Sequence, residues 1–228
     1  MTATRTRHQK SNIIYESHEH GVIVETREIF LHSHFGESEE DPGIEYRSAN
    51  RFLKNVRILE HFSNNPIIVH QHSPGGDWNS GMVMYDAIKN SSCSFVFVCH
   101  GIAASMGSIV PQAAHDHGYR IVMPNCDWLI HDGSIDTGDM TIRQFNSYHG
   151  YIDAMRRHML EIYTDSCAAT GSEFHGMKRN AVKNFIRRKL QAKEDWWFNA
   201  EEAVTYGFAD GVFGSEGYEN IQTIVESL

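Results

Sequence analysis

The sequence is short of cysteine. Its four cysteines, Cys93, Cys99, Cys126 and Cys167, lie far apart in 228 residues and form no C-x-x-C pair. That excludes a disulfide framework or a zinc knuckle and fits buried thiols in a reducing compartment. Positive charge is scarce too: 20 Lys and Arg stand against 29 Asp and Glu, a formal charge of −9, with no dense basic run. A nucleic-acid partner is not expected. No run approaches the ~18 consecutive apolar residues of a membrane span, so no membrane partner is expected either. The opening residues, MTATRTRHQKSN, are polar and basic but lead into no apolar stretch with a small-residue cleavage site. A secretory signal is therefore not expected, and a cytoplasmic location is. No internal repeat or low-complexity linker breaks the chain, and 41% apolar residues suffice for the core of one compact domain.

Histidine is abundant instead. The 15 histidines include the H-x-H pairs His18/His20, His32/His34, His70/His72 and His115/His117. Alternate residues of a strand share a face, so such a pair can ligate a metal. No third ligand stands at a telling spacing beside any of them, and no metal is expected.

Hydropathy alternates between the two secondary-structure periods. REIFLH (27–32), PIIVHQ (66–71), SFVFVC (94–99), YRIVM (119–123) and WLIH (128–131) read as strands, while residues 48–63, 79–89 and about 105–114 read as helices. This order predicts an α/β fold with a mainly parallel sheet and a core that ends near residue 131. From Thr141 to Ala169, Ile142, Phe145, Tyr148, Ile152, Met155, Met159 and Ile162 recur at helical spacing, with Gly171 as the C′ residue. A helix that long projects beyond a small sheet. A basic helix at about 177–192, a short helix over 201–206 and a closing strand FADGVF follow.

Candidate chemistry centres on HGIAASMGSIV (100–110), where Ser105 sits among Gly101, Ala103, Ala104 and Gly107 directly after an apolar strand. A strand ending at Cys99, a small-residue turn and a helix from Ser105 place the hydroxyl at a helix N-terminus among backbone N–H groups. The logic is that of the G-x-S-x-G elbow, although position 103 is Ala. Small residues also permit close helix–sheet packing, so the neighbouring motifs decide between the two readings. Ser73-Pro74-Gly75-Gly76 stands at a strand end, where glycines let amides face a ligand as in an oxyanion hole. His131, at the end of a short strand, can accept the Ser105 proton, with a carboxylate further on to orient it.

Together these segments resemble the proteolytic subunit of the Clp protease, the caseinolytic serine peptidase family, over about residues 27–214. The family's SPGG, AASMG and IH motifs stand at 73–76, 103–107 and 130–131, and AEEAVTYGFAD (200–210) is similar to its C-terminal helix and strand. The resemblance implies Ser105 as nucleophile, His131 as base, Asp195 as the third triad member, and Gly76 and Met106 as oxyanion amides. It implies a serine endopeptidase with a crotonase-like fold and no cofactor, acting on polypeptides. Two stacked heptameric rings, joined through the handle helices, would enclose the sites, and a separate AAA+ unfoldase ATPase would feed them. An N-terminal segment over 1–26 would supply an axial loop, residues 133–194 the handle region, and 215–228 a C-terminal tail.

Departures from the family pattern are local. DGSIDTGDM follows His131 where the family has Gln-Pro and a glycine-bearing strand that pairs with substrate. The span from His131 to Asp195 is longer than usual, and Lys193-Glu194 reverses the family's acidic-then-basic order. Asp132 and Asp136 are the alternative carboxylates for His131. The rival classes are a non-catalytic ring subunit, a phage protein-processing protease, and an acyl-CoA enzyme of the crotonase type, which shares the fold but needs no Ser/His/Asp set.

Overall fold

The computed structural model describes residues 12–31, 43–135 and 137–228. His32, His34, Asp136 and residues 1–11 of the N-terminal segment lie outside them. In chain order the elements are β1 (Val22–Ile23), β2 (Glu28–Leu31), α1 (Tyr46–Phe62), β3 (Ile67–Ser73), α2 (Trp78–Lys89) and β4 (Phe95–Ala104). There follow α3 (Met106–Ile109), continued by a 3₁₀ turn over Val110–Ala114, then β5 (Gly118–Val122), β6 (Asp127–His131) and α4 (Ile142–Thr170). The chain closes with α5 (Arg179–Lys193), β7 (Asp195–Phe198), α6 (Ala200–Thr205), β8 (Gly211–Val212) and α7 (Ile221–Glu226).

Strands β2, β3, β4, β5 and β8 lie side by side in parallel, as continuous apolar runs such as Phe95–Cys99 require when both faces of a sheet are covered. Helix α1 begins at a capping box in which Glu45 and Ser48 each accept the other's backbone N–H at 2.9 Å. It lays Ala49, Phe52, Val56 and Leu59 on one face of the sheet.

Two expectations are corrected. Strand β4 does not stop at Cys99: it runs on to Ala104 and changes partner, pairing Phe95–Cys99 with β5 and Ile102–Ala104 with β6. The bend falls at Gly101, whose φ of +57° suits a residue without Cβ. The core also does not end at residue 131. Met159, Ile162, Tyr163 and Cys167 of α4, Val182, Ile186 and Leu190 of α5, and Trp196 and Phe198 of β7 are buried in the same cluster. Periodicity identifies an apolar face but not what covers it. Gly171 does cap α4, but with φ −71° rather than in the left-handed region. A side chain there would meet the carbonyls of Tyr206 and Cys167. On the other sheet face, Ile224 of α7 packs with Ile68, Val96, Val98 and Ile121.

All four cysteines are free and buried. Burial raises the Cys126 thiol to about 12 and pushes Cys99 and Cys167 up, so these thiols stay protonated and inert.

Arg120 on β5 is fully buried. Its guanidinium donates to Asp210 at 2.5 and 3.0 Å, to Gln112 at 2.6 Å, to Thr170 at 2.9 Å, to the Gly207 carbonyl at 3.0 Å, and to Ser166. One cation thereby ties β5, the 3₁₀ turn, α4 and the segment before β8 together. Asp210→Ala strands that charge, and the expected loss is about 3–5 kcal/mol of stability. Chemical denaturation checks it: a loss below 1 kcal/mol, the range of an exposed pair, would contradict this reading.

Candidate active site

The bend in β4 aims its C-terminal end at β6, and Ser105 follows immediately with φ 53° and ψ −124°. A non-glycine residue in that region is strained and persists only where its surroundings hold it. Here the Ser105 N–H donates to the Leu129 carbonyl of β6 at 3.0 Å. The Ser105 carbonyl accepts from both the N–H and the hydroxyl of Ser108, at 2.9 and 2.7 Å. The Gln71 amide of β3 donates to the Gly107 carbonyl at 2.6 Å and clamps the next turn. The small residues around Ser105 thus serve a sharp strand-to-helix turn under tight packing: a side chain at Gly107 would press on Ser73.

His131 ends β6 beside this turn. Its Nε2 lies 2.8 Å from Ser105 Oγ, and its Nδ1 lies 3.2 Å from Asp195 Oδ1. An ionised carboxylate only accepts, so Nδ1 carries the proton and Nε2 is left to accept from the serine. Strands β6 and β7 are antiparallel with His131 directly opposite Asp195, so this contact is a cross-strand pair set by register. The register is anchored by Trp196 and Phe198, which point into the core against Tyr206 and Phe208. Asp132, an alternative carboxylate, pairs with Arg156 of α4 at 2.5 Å, and this hydrogen bond raises the guanidinium pKa. No strand forms among the described residues of 132–140.

The SPGG segment packs against the serine. A Cβ on Gly75 would lie 2.5 Å from that of Ser105, and one on Gly76 would lie 2.0 Å from the Ile44 carbonyl. Their φ values of +103° and +145° exclude side chains independently. Gly76 forms a parallel bridge with Ile44 through the Gly75 carbonyl and the Asp77 N–H, at 2.7 and 2.8 Å. The Gly76 N–H therefore faces the opposite edge. Met106 opens α3, where a backbone N–H has no partner within the helix.

Gly76, Ser105, Met106 and His131 border one cleft of about 690 Å³. Its other wall is α4, which contributes Tyr148, Tyr151, Ile152, Met155 and Arg156, while Ile109 and Leu129 line its floor. Sequence reasoning missed this use of α4. The helical spacing of Tyr148, Ile152 and Met155 was visible, but it carries no information about which element they face. Tyr151 spans the cleft edge, donating to Asn79 Oδ1 of α2 at 3.1 Å.

The described histidine pairs do not line the cleft. His70 contacts His100 at 3.2 Å and Glu28 at 3.1 Å, and His115 and His117 bond to the Gln112 carbonyl and Asp116. Among the described residues no group of three or more His, Cys, Asp or Glu could hold a metal. No described helix is long and apolar enough to cross a membrane.

A mainly parallel sheet that presents a serine, an imidazole and a carboxylate in hydrogen-bonded line is the architecture of a serine hydrolase. Within that class the chain belongs to the Clp protease family, whose description, Clp protease, matches residues 17–216. It is similar to ATP-dependent Clp protease proteolytic subunit 2 of Pseudomonas aeruginosa, with 27% identity over 176 residues covering 76% of this chain and 79% of that one. Proteolytic subunit 1 of Chlamydia muridarum is 30% identical over 173 residues, covering 74% of this chain and 81% of its own. A solved ClpP1 mutant from Listeria monocytogenes shares the fold with a TM-score of 0.67 at 22% identity, over 88% of this chain and 96% of that one.

Proposed function

We propose that this chain is the proteolytic subunit of a Clp-type serine endopeptidase that cleaves polypeptides through an acyl-enzyme. The observation that carries the reading is the unbroken line Ser105 Oγ, His131 Nε2, His131 Nδ1, Asp195 Oδ1, with its 2.8 and 3.2 Å contacts. Ser105 attacks the peptide carbonyl as His131 takes its proton, and Asp195 holds the imidazolium that forms. The Gly76 and Met106 amides receive the oxyanion, a role whose loss costs about 10²–10³ in rate per donor. His131 then protonates the leaving amine. In the second half a water attacks the acyl carbon, gives its proton to His131, and Ser105 leaves with that proton restored. Every proton moves between side chain, substrate and water, so no cofactor enters.

The apolar floor and walls of the cleft, from Met106, Ile109, Leu129, Ile152 and Met155, suit a large apolar side chain on the acyl side of the cut bond. Short fluorogenic peptides with Leu, Met or Tyr at that position are the substrates to test, against acyl-CoA thioesters as the crotonase-type control. Hydrolysis of the thioesters with none of the peptides would reverse the reading.

The chain carries no G-x-x-x-x-G-K-[ST] loop, so unfolding of folded substrates falls to a separate AAA+ ATPase in the cytoplasm. The names of the relatives, ATP-dependent Clp protease proteolytic subunits, support this partnership. Assembly as two stacked heptameric rings through α4 is part of the same proposal. Support comes from its N-terminal half, where Ile142 is 82% and Phe145 47% exposed, an apolar surface costly to leave in water. Met159 and Ile162 are buried in the subunit's own core, so the junction is probed at the exposed end only. Ile142→Asp with Phe145→Asp is expected to halve the particle mass in sedimentation while each subunit stays folded. An intact double ring in that variant would move the junction elsewhere. Lys193 and Glu194 have no ion-pair partner among the described residues, which leaves them free to pair across it.

A further inference from the structure

The backbone of Ser105 is held from α4 as well as from the sheet. Its carbonyl accepts the Ser108 hydroxyl at 2.7 Å. That hydroxyl lies 2.6 Å from the Tyr163 hydroxyl, and Ser108 and Tyr163 are both fully buried. The proton count sets the direction of the chain. Ser108 has one hydroxyl proton, and it is directed at a carbonyl that can only accept, so the contact with Tyr163 requires the phenol to donate. Burial pushes the Tyr163 pKa well up, which keeps the phenol in the donating form. A relay therefore runs from Tyr163 through Ser108 to the Ser105 peptide group, and it joins the helix forming one wall of the cleft to the strained turn forming the other. The Ser105 dihedrals are defined by the two flanking peptide planes. Leu129 holds one, and Ser108 with Tyr163 holds the other.

We propose that Tyr163 is a positioning residue for the Ser105 nucleophile, acting through Ser108; this rests on the serine-peptidase reading above. The phenol fixes the Ser108 rotor toward the Ser105 carbonyl, and the fixed carbonyl keeps Oγ in line with His131 Nε2. Without the phenol, the buried Ser108 oxygen loses its donor, only its own bond to the Ser105 carbonyl still fixes the rotor, and the strained turn is held less firmly in the attack geometry.

The test is the rate at which a fluorophosphonate labels Ser105, together with kcat and KM on a fluorogenic peptide, for wild type, Tyr163→Phe, Ser108→Ala and the double variant. Tyr163→Phe keeps the buried ring and removes only the hydroxyl. It is expected to slow labelling and kcat together by about fivefold, the equivalent of one neutral hydrogen bond, at unchanged KM and particle mass. The double variant is expected to be no slower than Ser108→Ala alone, because the phenol acts only through that hydroxyl. Wild-type labelling and kcat in Tyr163→Phe, with nothing but a lowered thermal midpoint, would overturn the proposal, as would losses that multiply in the double variant. A wild-type protein that takes up no phosphonate overturns the nucleophile reading and the proposal with it, whereas a labelled wild type beside an equally fast Tyr163→Phe overturns the proposal alone.

Discussion

Ser105→Ala is expected to lower peptide turnover by about 10⁶-fold and to abolish covalent labelling by a fluorophosphonate or β-lactone. The size follows from the chemistry: Oγ is the atom that bonds to the acyl carbon, and no other hydroxyl described at the cleft contacts His131. The fold is expected to survive. Alanine keeps the Cβ that already tolerates a φ of 53°, and the hydrogen bonds to Leu129 and Ser108 are made by the backbone of residue 105, not by its hydroxyl. Activity is therefore lost at an unchanged thermal midpoint. Mass spectrometry of labelled peptides checks the site, and a phosphonate adduct that persists in Ser105→Ala would assign the nucleophile elsewhere.

Asp195→Asn is expected to cost between about 10² and 10⁴ in kcat with little loss of stability. An amide at 3.2 Å from His131 Nδ1 can donate where the carboxylate only accepts. It favours the tautomer with the proton on Nε2, which cannot take the serine proton. The Asp195 side chain is 55% exposed, so water already screens its charge, and the fold gains little from the ion pair. Turnover equal to wild type would remove Asp195 from the mechanism. The remaining candidate among the described residues, Asp132, would first have to leave Arg156.

How much of the site was legible in the sequence differs from residue to residue. Ser105 and His131 stand at the ends of apolar strands, where hydropathy, small residues and a change of period coincide. The placing of Asp195 came with the family resemblance, because nothing local separates it from the other acidic residues after His131. Strand β4 shows where reading along the chain stops working. Small residues after Cys99 read as a turn, since an isolated strand rich in Gly and Ala is weak. In the molecule those residues lie between β3 and β6, and neighbouring strands supply the hydrogen bonds that propensity lacked. Helix α4 is the converse case. Its length and apolar spacing were plain, yet one unbroken stripe turned out to serve three environments: an exposed end at Ile142, a cleft wall at Ile152 and Met155, and the core at Met159 and Ile162.

By itself the sequence determined the alternation of strands and helices, the long projecting helix and the motifs at 73–76, 103–107 and 130–131. These depend on local period, turn chemistry and the sizes of adjacent residues. No local pattern fixed which carboxylate meets His131; the tertiary structure shows the contact, through a register between strands more than sixty residues apart. It also decided that α4 closes the cleft, and that Tyr163 reaches the back of the nucleophile through Ser108. Such contacts arise from packing between elements distant in the chain, and an apolar or hydroxyl side chain carries no mark of the partner it will meet.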